Sequence, residues 1–153
     1  MRIAEFLRVE AVVPALSAKS KPEVLKELAK ALAAAYPQIT EARFLSVLEE
    51  REKLVSTGME RGVAIPHGRL AELPTLAACF GVSREGVDFA SHDNQPTHFF
   101  FALVAPENSA GLHLKALSKI NRLFRSEQLK DLILHATTAA DIYAVIAQED
   151  AKA

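Results

Sequence analysis

The chain has 153 residues, of which 50% are hydrophobic and 24% are charged, and its formal net charge is -1. This length and composition predict a single globular domain over residues 1–153 and are not typical of a disordered chain. The balanced charge argues against a nucleic-acid partner, and the absence of any run of about 18 apolar residues argues against stable membrane insertion.

The N-terminal segment and the single cysteine predict a cytoplasmic protein. Residues 1–13, MRIAEFLRVEAVV, mix acidic with apolar residues and lack the long hydrophobic run of a signal peptide. Cys79 lies in the apolar run LAACF and has no second cysteine with which to form an internal disulfide. We therefore expect a buried thiol in a reducing compartment.

Two amphipathic helices are predicted in the first third of the chain. Ser20 and Glu23 match a capping box, and apolar residues then recur at helical spacing. Pro37 is expected to end this helix. Thr40 is the expected cap of a second helix, EARFLSVLEEREKL, which has Glu41 in its favourable first turn.

The middle of the chain predicts a β-sheet. Four short stretches rich in Val, Phe, Ile and Leu are separated by Gly, Pro and Asp-Asn: GVAIP (62–66), TLAACFGVS (75–83), GVDFA (86–90) and HFFFALVAP (98–106). Because FFFALVA is continuously apolar, we expect it to be a central strand covered on both faces. SREG (83–86) and SHDNQP (91–96) are predicted to be turns.

Three further helices are predicted in the last third of the chain. Ser109 is the expected cap of AGLHLKALSKINRLF, and Ser126 is the expected cap of EQLKDLILHA. The last helix, TAADIYAVIAQ, follows Thr137. The order of helices, strands and helices favours a small central sheet with helices packed on it.

Two of the 5 histidines stand in contexts that indicate function. His67 follows a strand-like segment, where Pro66 restricts the backbone and Gly68 removes a side chain beside the imidazole. A turn whose histidine faces water is an equally good interpretation of this segment alone. His113 lies early in a helix, where free N–H groups suit an anion, although a solvent-facing polar residue is the favoured interpretation of His113 alone.

Residues upstream of His67 match the ligands of a phosphate group. Arg51 lies at the end of the second helix, and Ser56 and Thr57 follow in a turn. An arginine fork and two hydroxyls suit phosphate oxygens, but each residue singly is equally typical of a helix end or a turn. The sequence lacks the motifs of serine hydrolases, P-loops, dinucleotide-binding folds and zinc sites. The remaining chemistry is histidine as a nucleophile for phosphorus.

The segment REKLVSTGMERGVAIPHG (51–68) resembles the signature of a known family, the fructose/mannitol-type enzyme IIA domain of the bacterial phosphoenolpyruvate-dependent phosphotransferase system. DNQPTHFFFALVAPENSAGLHLKALSKI (93–120) is similar to the second landmark of that family. The resemblance extends over nearly the whole chain. It implies an α/β (α+β-like) fold, in which a central mixed sheet, mainly parallel, is flanked by helices in a single domain.

The resemblance also implies the roles of individual residues. His67 matches the phosphorylated histidine, which accepts its phosphoryl group from an HPr-type carrier. His113 matches the second histidine of the site, and Arg51 matches the arginine that stabilises phosphate charge. The phosphate-binding residues would be Ser56, Thr57 and Gly68. Because positioning and charge stabilisation carry phosphoryl transfer, no metal or organic cofactor is needed.

Two branches of this family are compatible with the sequence. The nitrogen-related regulatory branch is favoured by the single domain and by two segments, STGMERGVAIPHG and DNQP. In that branch, phosphorylation controls partners such as sensor kinases or potassium transporters. The alternative is the sugar branch, which passes the phosphoryl group to a permease IIB domain. Many regulatory members have a further histidine at the position of Lys115. A lysine keeps a positive charge there but cannot act as a neutral donor and acceptor, so a role of that histidine is not expected in this chain.

A docking surface for the phosphoryl donor is expected around His67. The donor must reach the imidazole, so nearby apolar residues should be exposed. The candidates are Met59, Val63 and Leu112.

Overall fold

The computed structural model describes residues 1–152, which form a five-stranded β-sheet and five α-helices. After a short 3-10 helix at Ile3–Glu5, the elements are β1 (Leu7–Val13), α1 (Lys21–Ala35), α2 (Glu41–Glu52), β2 (Val63–Ala64), β3 (His67–Leu70), β4 (Ala77–Val87), β5 (Thr97–Pro106), α3 (Ala110–Leu123), α4 (Glu127–His135) and α5 (Ala139–Lys152).

The sheet is mixed and mainly parallel. Its order is β1, β4, β5 and then β2, with β3 also paired to β5. Only the β4–β5 pair is antiparallel among the strands of residues 1–152. Helix α1 packs on β1 and β4, α2 on β3, α3 on β5 and α5 on β1. The predicted α/β fold, a central mixed sheet flanked by helices, is confirmed.

Strand β5 is a central strand of the sheet, as its apolar sequence predicts. Residues Phe99 to Ala105 are all buried, and β5 has neighbours on both edges. Cys79 of β4 lies opposite Ala102 of β5 and is fully buried. Burial raises the pKa of its thiol well above the ordinary value, so it remains protonated and packs as a small apolar residue.

Most helix starts follow the predicted caps. The hydroxyls of Ser20, Thr40 and Ser126 each accept a hydrogen bond from the backbone N–H three residues further on. Ser109 also precedes its helix, but its hydroxyl donates to the carbonyl of Pro106 at 2.6 Å. Ser109 is therefore the N-cap residue of α3, as predicted, but its side chain makes no cap hydrogen bond, because the hydroxyl is used by the end of β5.

Two strands were not predicted. Strand β1 (Leu7–Val13) has three successive exposed residues and a shift in its register with β4, so buried and exposed side chains do not alternate regularly along it. Strand β3 resumes the pairing of β2 with β5 after the interruption at Pro66, whose carbonyl accepts from the Leu103 N–H at 2.9 Å. His67 therefore lies within the sheet, opposite Leu103, and not in a loop at a strand end.

The turn predicted at SREG (83–86) is wrong, because β4 continues through it to Val87. Residues 83–86 form an irregular part of β4 between Val82 and Val87, where the register with β5 shifts. Gly86 has a φ of +86° there, and its N–H donates to the Ser83 hydroxyl at 3.1 Å. GVDFA (86–90) is consequently not a separate strand, and Phe89 is buried beyond the end of β4.

Within residues 1–152, no helix combines the length and the apolar character needed to cross a lipid bilayer.

Candidate active site

A pocket of about 470 Å³ brings together His67, Gly68, Arg51 and His113. His67 and Gly68 begin β3, Arg51 is in the last turn of α2, and His113 is in the first turn of α3. Because α2 packs on β3 and α3 packs on β5, residues far apart in sequence reach one cavity. The positive end of α3 also borders the cavity, where Ala110 is a lining residue.

The ring of His67 is oriented by its own backbone. Its Nδ1 lies 2.6 Å from the carbonyl oxygen of Ile65. A carbonyl oxygen can only accept a hydrogen bond, so Nδ1 carries the proton in the neutral ring. The lone pair is consequently on Nε2, the nitrogen that is left free to react.

His113 is the other imidazole of the pocket. The two rings meet edge to face, with centroids 5.6 Å apart and planes inclined by 75°. His113 is only 6% exposed, and its Nε2 is buried without a hydrogen-bond partner among residues 1–152. Buried polar atoms are nearly always satisfied, so this nitrogen is available for a hydrogen bond with a group that enters the pocket.

Both imidazoles are held in the neutral form at neutral pH. Burial lowers the pKa of His113 to about 4, with further contributions from His67 and Arg69. Burial also lowers the pKa of His67, and Arg51 lowers it further, while the bond to Ile65 acts in the opposite direction. A neutral His67 keeps a lone pair available for attack on phosphorus.

Arg51 supplies positive charge at the edge of the pocket. Its side chain is half-buried, and its Nη1 donates to the carbonyl of Val55 at 2.9 Å. This bond holds the guanidinium beside the loop that follows α2. The remaining N–H groups of a guanidinium suit the oxygens of a phosphoryl group.

Gly68 is required by packing against α2. A Cβ built on Gly68 would overlap Cγ1 of Val47, a buried residue of α2. The space beside the Gly68 backbone is therefore filled by Val47 and is not empty space beside His67. Its absent side chain lets α2 approach β3 closely, which in turn brings Arg51 to the pocket.

Ser56 and Thr57 do not line this pocket and already have partners. The Ser56 hydroxyl donates to the carbonyl of Phe89 at 2.9 Å, and the Thr57 hydroxyl donates to a carboxylate oxygen of Glu52. Glu52 also accepts from the Thr57 N–H at 3.0 Å and pairs with Lys21 at 2.8 Å. The two hydroxyl residues thus fasten the loop after α2 to its surroundings, and their contact with phosphate stays a prediction.

Arg69 is a charged residue of the pocket that the sequence did not indicate. Arg69 lies two residues after His67, and its Nε is 3.4 Å from Nδ1 of His113. Residues i and i+2 of a strand share a face, so the position of Arg69 follows once β3 is recognised as a strand. Within the described part of the chain, no cluster of three or more His, Cys, Asp or Glu residues could hold a metal ion.

The apolar surface around the pocket differs from the predicted set. Leu54 and Leu114 line the pocket and are 80% and 66% exposed, although neither was predicted. Of the predicted residues, Leu112 is exposed, Met59 is half-buried and Val63 is buried in the sheet. Val63 lies in β2 and is only 6% exposed, and it does not line the pocket of His67.

Comparisons with known proteins show the family to which the chain belongs. The family model described as the phosphoenolpyruvate-dependent sugar phosphotransferase system, EIIA 2, matches residues 5–149. A nitrogen regulatory protein from Bradyrhizobium diazoefficiens is 40% identical over 153 residues, which is 100% of this chain and 99% of that protein. A fructose-specific EIIABC component from Bacillus subtilis is 33% identical over 150 residues, which is 98% of this chain but only 24% of that protein.

Two solved structures show the same fold. Nitrogen regulatory protein IIA-Ntr from Neisseria meningitidis superposes with a TM-score of 0.87 at 32% identity, covering 94% of this chain and 98% of that one. IIA mannitol from Escherichia coli superposes with a TM-score of 0.76 at 19% identity, covering 92% of this chain and 98% of that one.

Proposed function

Since the chain belongs to the EIIA 2 family of the phosphoenolpyruvate-dependent sugar phosphotransferase system, we propose that it carries a phosphoryl group on Nε2 of His67. The observation that carries this proposal is the bond between His67 Nδ1 and the Ile65 carbonyl. That bond fixes the tautomer whose Nε2 holds the lone pair, beside a cavity that also contains Arg51 and His113.

The transfer step exchanges one P–N bond for another. Nε2 of His67 attacks the phosphorus of a donor phosphohistidine, and the P–N bond of the donor breaks as the new bond forms. The donor imidazole leaves with the electron pair of that bond. The positive charge that develops on the His67 ring is shared with Nδ1–H, which keeps its bond to the Ile65 carbonyl.

The surrounding groups would stabilise the transferred phosphoryl group. Arg51 offers guanidinium N–H groups, and the first turn of α3 offers the positive end of the helix dipole. The buried Nε2 of His113 has no partner within residues 1–152, which suits a donor to a phosphoryl oxygen. Preorganised charge of this kind is the main source of catalysis in phosphoryl transfer.

The donor in this proposal is an HPr-type phosphocarrier of the nitrogen-related system. The output is regulatory, through partners such as sensor kinases or potassium transporters that distinguish the two phosphorylation states. The likeness to nitrogen regulatory proteins over the full chain supports this branch. A cytoplasmic location is part of the same proposal.

The sugar branch is the second candidate function. The specific observation in its favour is the 33% identity to a fructose-specific EIIABC component. In that case the phosphoryl group on His67 would pass to a permease IIB domain.

The test of the proposal is phosphorylation in a purified system containing phosphoenolpyruvate, enzyme I and an HPr-type carrier. We expect an acid-labile mass increase of one phosphoryl group in the wild type and none in His67→Gln. His92→Gln is the matched control, because His92 is exposed and does not line the pocket of His67. If His67→Gln is labelled to the same extent as the wild type, the proposal is wrong.

A second reaction separates the two branches. The phosphorylated protein is mixed with a fructose-type IIB domain, and the half-life of the phosphoryl group is compared with its half-life in buffer. The regulatory branch predicts an unchanged half-life, whereas rapid transfer to IIB would favour the sugar branch.

A further inference from the structure

Arg69 is the one charged side chain of the pocket that contacts an imidazole of the site through a hydrogen bond within residues 1–152. It lies on β3, opposite Ala105 of β5. Its Nε is 3.4 Å from Nδ1 of His113, and both residues line the same cavity. The function proposed above gives Arg69 no role.

The direction of this hydrogen bond follows from the chemistry of the two groups. A guanidinium Nε–H can only donate, so Nδ1 of His113 must accept with its lone pair. A neutral imidazole has one proton on its two ring nitrogens. The proton of His113 is therefore on Nε2, the buried nitrogen that has no partner in the part of the chain described.

We propose that Arg69 is a positioning residue that holds His113 as the Nε2–H tautomer, so that this N–H is directed to donate to a phosphoryl oxygen. This inference rests on the proposed phosphorylation of His67. It explains why a nitrogen buried beside the reacting ring carries a proton with no acceptor. The acceptor arrives with the phosphoryl group, and the N–H does not have to form or reorient during transfer.

The charge of Arg69 acts in the same direction as its hydrogen bond. A fixed cation beside Nδ1 disfavours a second proton on the ring, and His67 and burial also disfavour it. An imidazolium would have to donate from Nδ1 toward the guanidinium, where both partners are donors. Arg69 thus opposes both the charged ring and the Nδ1–H tautomer.

The first test is the nitrogen NMR spectrum of His113 in unphosphorylated protein at pH 7. We expect the wild type to show a protonated Nε2 and an unprotonated Nδ1. In Arg69→Met we expect the protonated fraction of Nδ1 to increase. Lys115→Met is the matched control, because it removes an exposed positive charge two residues from His113 on the same helix.

This spectrum needs no phosphoryl donor, so it is independent of whether His67 is phosphorylated. A wild type that fails to accept phosphate would overturn the proposed function and leave the tautomer measurement standing. A wild type with the proton on Nδ1, or an Arg69→Met spectrum identical to the wild type, would overturn the inference about Arg69.

The second test separates positioning through His113 from direct contact with phosphate. We expect Arg69→Met to slow phosphoryl acceptance on the order of tenfold in the wild type, since coupled neighbours show interaction energies of that size. In a His113→Ala background the same change should slow the reaction less than about twofold. Arg69→Lys keeps the charge and a donor and should restore part of the rate. Equal slowing in both backgrounds would mean that Arg69 acts without His113.

Discussion

The rings of His67 and His113 lie edge to face, with their centroids 5.6 Å apart and their planes inclined by 75°. One ring is bonded to the carbonyl of Ile65 and the other to the guanidinium of Arg69. Because Nδ1 of His67 faces an acceptor and Nδ1 of His113 faces a donor, the two imidazoles are opposite tautomers. His67 carries its proton on Nδ1, and His113 carries its proton on Nε2. Two residues of the same type are thereby fitted for different roles, a nucleophile and a hydrogen-bond donor.

The first prediction concerns the titration of the two imidazoles. NMR titration should give a midpoint near pH 4 for His113, because burial lowers its pKa to about 4. The midpoint for His67 should lie below its ordinary 6.5 for the same main reason, with Arg51 adding to the effect and Glu52 and the Ile65 carbonyl opposing it. A midpoint at or above 6.5 for both rings would contradict the buried, neutral pair.

The second prediction is the effect of these pKa values on stability. The pKa values are lower in the folded protein, so the unfolded chain binds more protons as pH falls below about 6.5. The free energy of unfolding should therefore decrease between pH 6.5 and the folded pKa of His113, about 4. His113→Gln should flatten this decrease in urea unfolding measured at several pH values. An unchanged slope would assign the acid sensitivity to other groups.

The third prediction concerns Gly68. A methyl group at Gly68 would overlap Cγ1 of Val47, so Gly68→Ala should lower the free energy of unfolding by about 1–3 kcal/mol. The matched control is Gly111→Ala in α3, where a Cβ meets no atom within 4 Å. Alanine is the better helix former, so that change should raise stability by roughly 0.5–1 kcal/mol.

A double variant checks the cause of the Gly68 effect. If the clash with Val47 is responsible, Gly68→Ala combined with Val47→Ala should cost less than the sum of the two single changes. Additive losses in urea unfolding would show that the backbone conformation of Gly68, and not its contact with α2, limits substitution.

Much of the fold follows from local patterns in the sequence. The continuous apolar run of β5 predicted a central strand, and the periodic helices appear with hydrogen bonds at three of their predicted caps. Strand β1 was not predicted, although Leu7 to Ala11 alternate between apolar and charged residues as in a half-buried strand. The structure does not bury this alternation regularly, because Val9 is exposed together with Arg8 and Glu10. The strong turn signal of SREG was overridden because pairing with β5 resumes at Val87 after a local irregularity.

The residues of the candidate site could be predicted from the sequence where they lie in one segment. Those that tertiary packing brings to the site could not be predicted in the same way. His67 and Gly68 are adjacent, and the family signature identifies them together with Arg51. The place of Arg69 in the pocket depends on β3, and HGRL carries no strand pattern because only Leu70 of its four residues is apolar apart from Gly68. The face that Arg69 shares with His67 follows only from the structure. The partner of the Ser56 hydroxyl, the Phe89 carbonyl, is 33 residues away in sequence, so no local pattern indicates it. Glu52, the partner of Thr57, is five residues away, at the end of α2.

The fourth prediction concerns the loop after α2. Thr57 donates its hydroxyl and its N–H to the nearly buried carboxylate of Glu52. Thr57→Val removes the hydroxyl bond at nearly constant shape and should lower the free energy of unfolding by about 1.5–3 kcal/mol. Glu52→Gln is the comparison variant, because it weakens the same loop and keeps the hydroxyl. If Thr57 also binds phosphate, Thr57→Val should slow phosphoryl acceptance more than Glu52→Gln does, and equal rates would argue against that role.

The last prediction concerns a buried ion pair that joins the end of the chain to α3. Asp150 of α5 has one carboxylate oxygen 2.6 Å from Nζ of Lys119, with the two side chains only 2% and 12% exposed. The contact joins an ammonium to a carboxylate and is an ion pair. The other carboxylate oxygen accepts from the Ile3 N–H at 2.6 Å, and the Asp150 carbonyl accepts from Arg2. Asp150 thereby holds the N-terminus, α3 and α5 together.

Asp150→Asn leaves the ammonium of Lys119 buried without a counter-charge, so we expect a loss of about 3–5 kcal/mol in urea unfolding followed by circular dichroism. Lys119→Met combined with Asp150→Asn should cost less than the sum of the single changes, because the double variant leaves neither charge unpaired. Lys19→Met is the control, since Lys19 and Glu85 form an ion pair with side chains 74% and 81% exposed. That change should leave the unfolding midpoint nearly unchanged. If Asp150→Asn is as mild as Lys19→Met, the pair does not contribute to the attachment of α5.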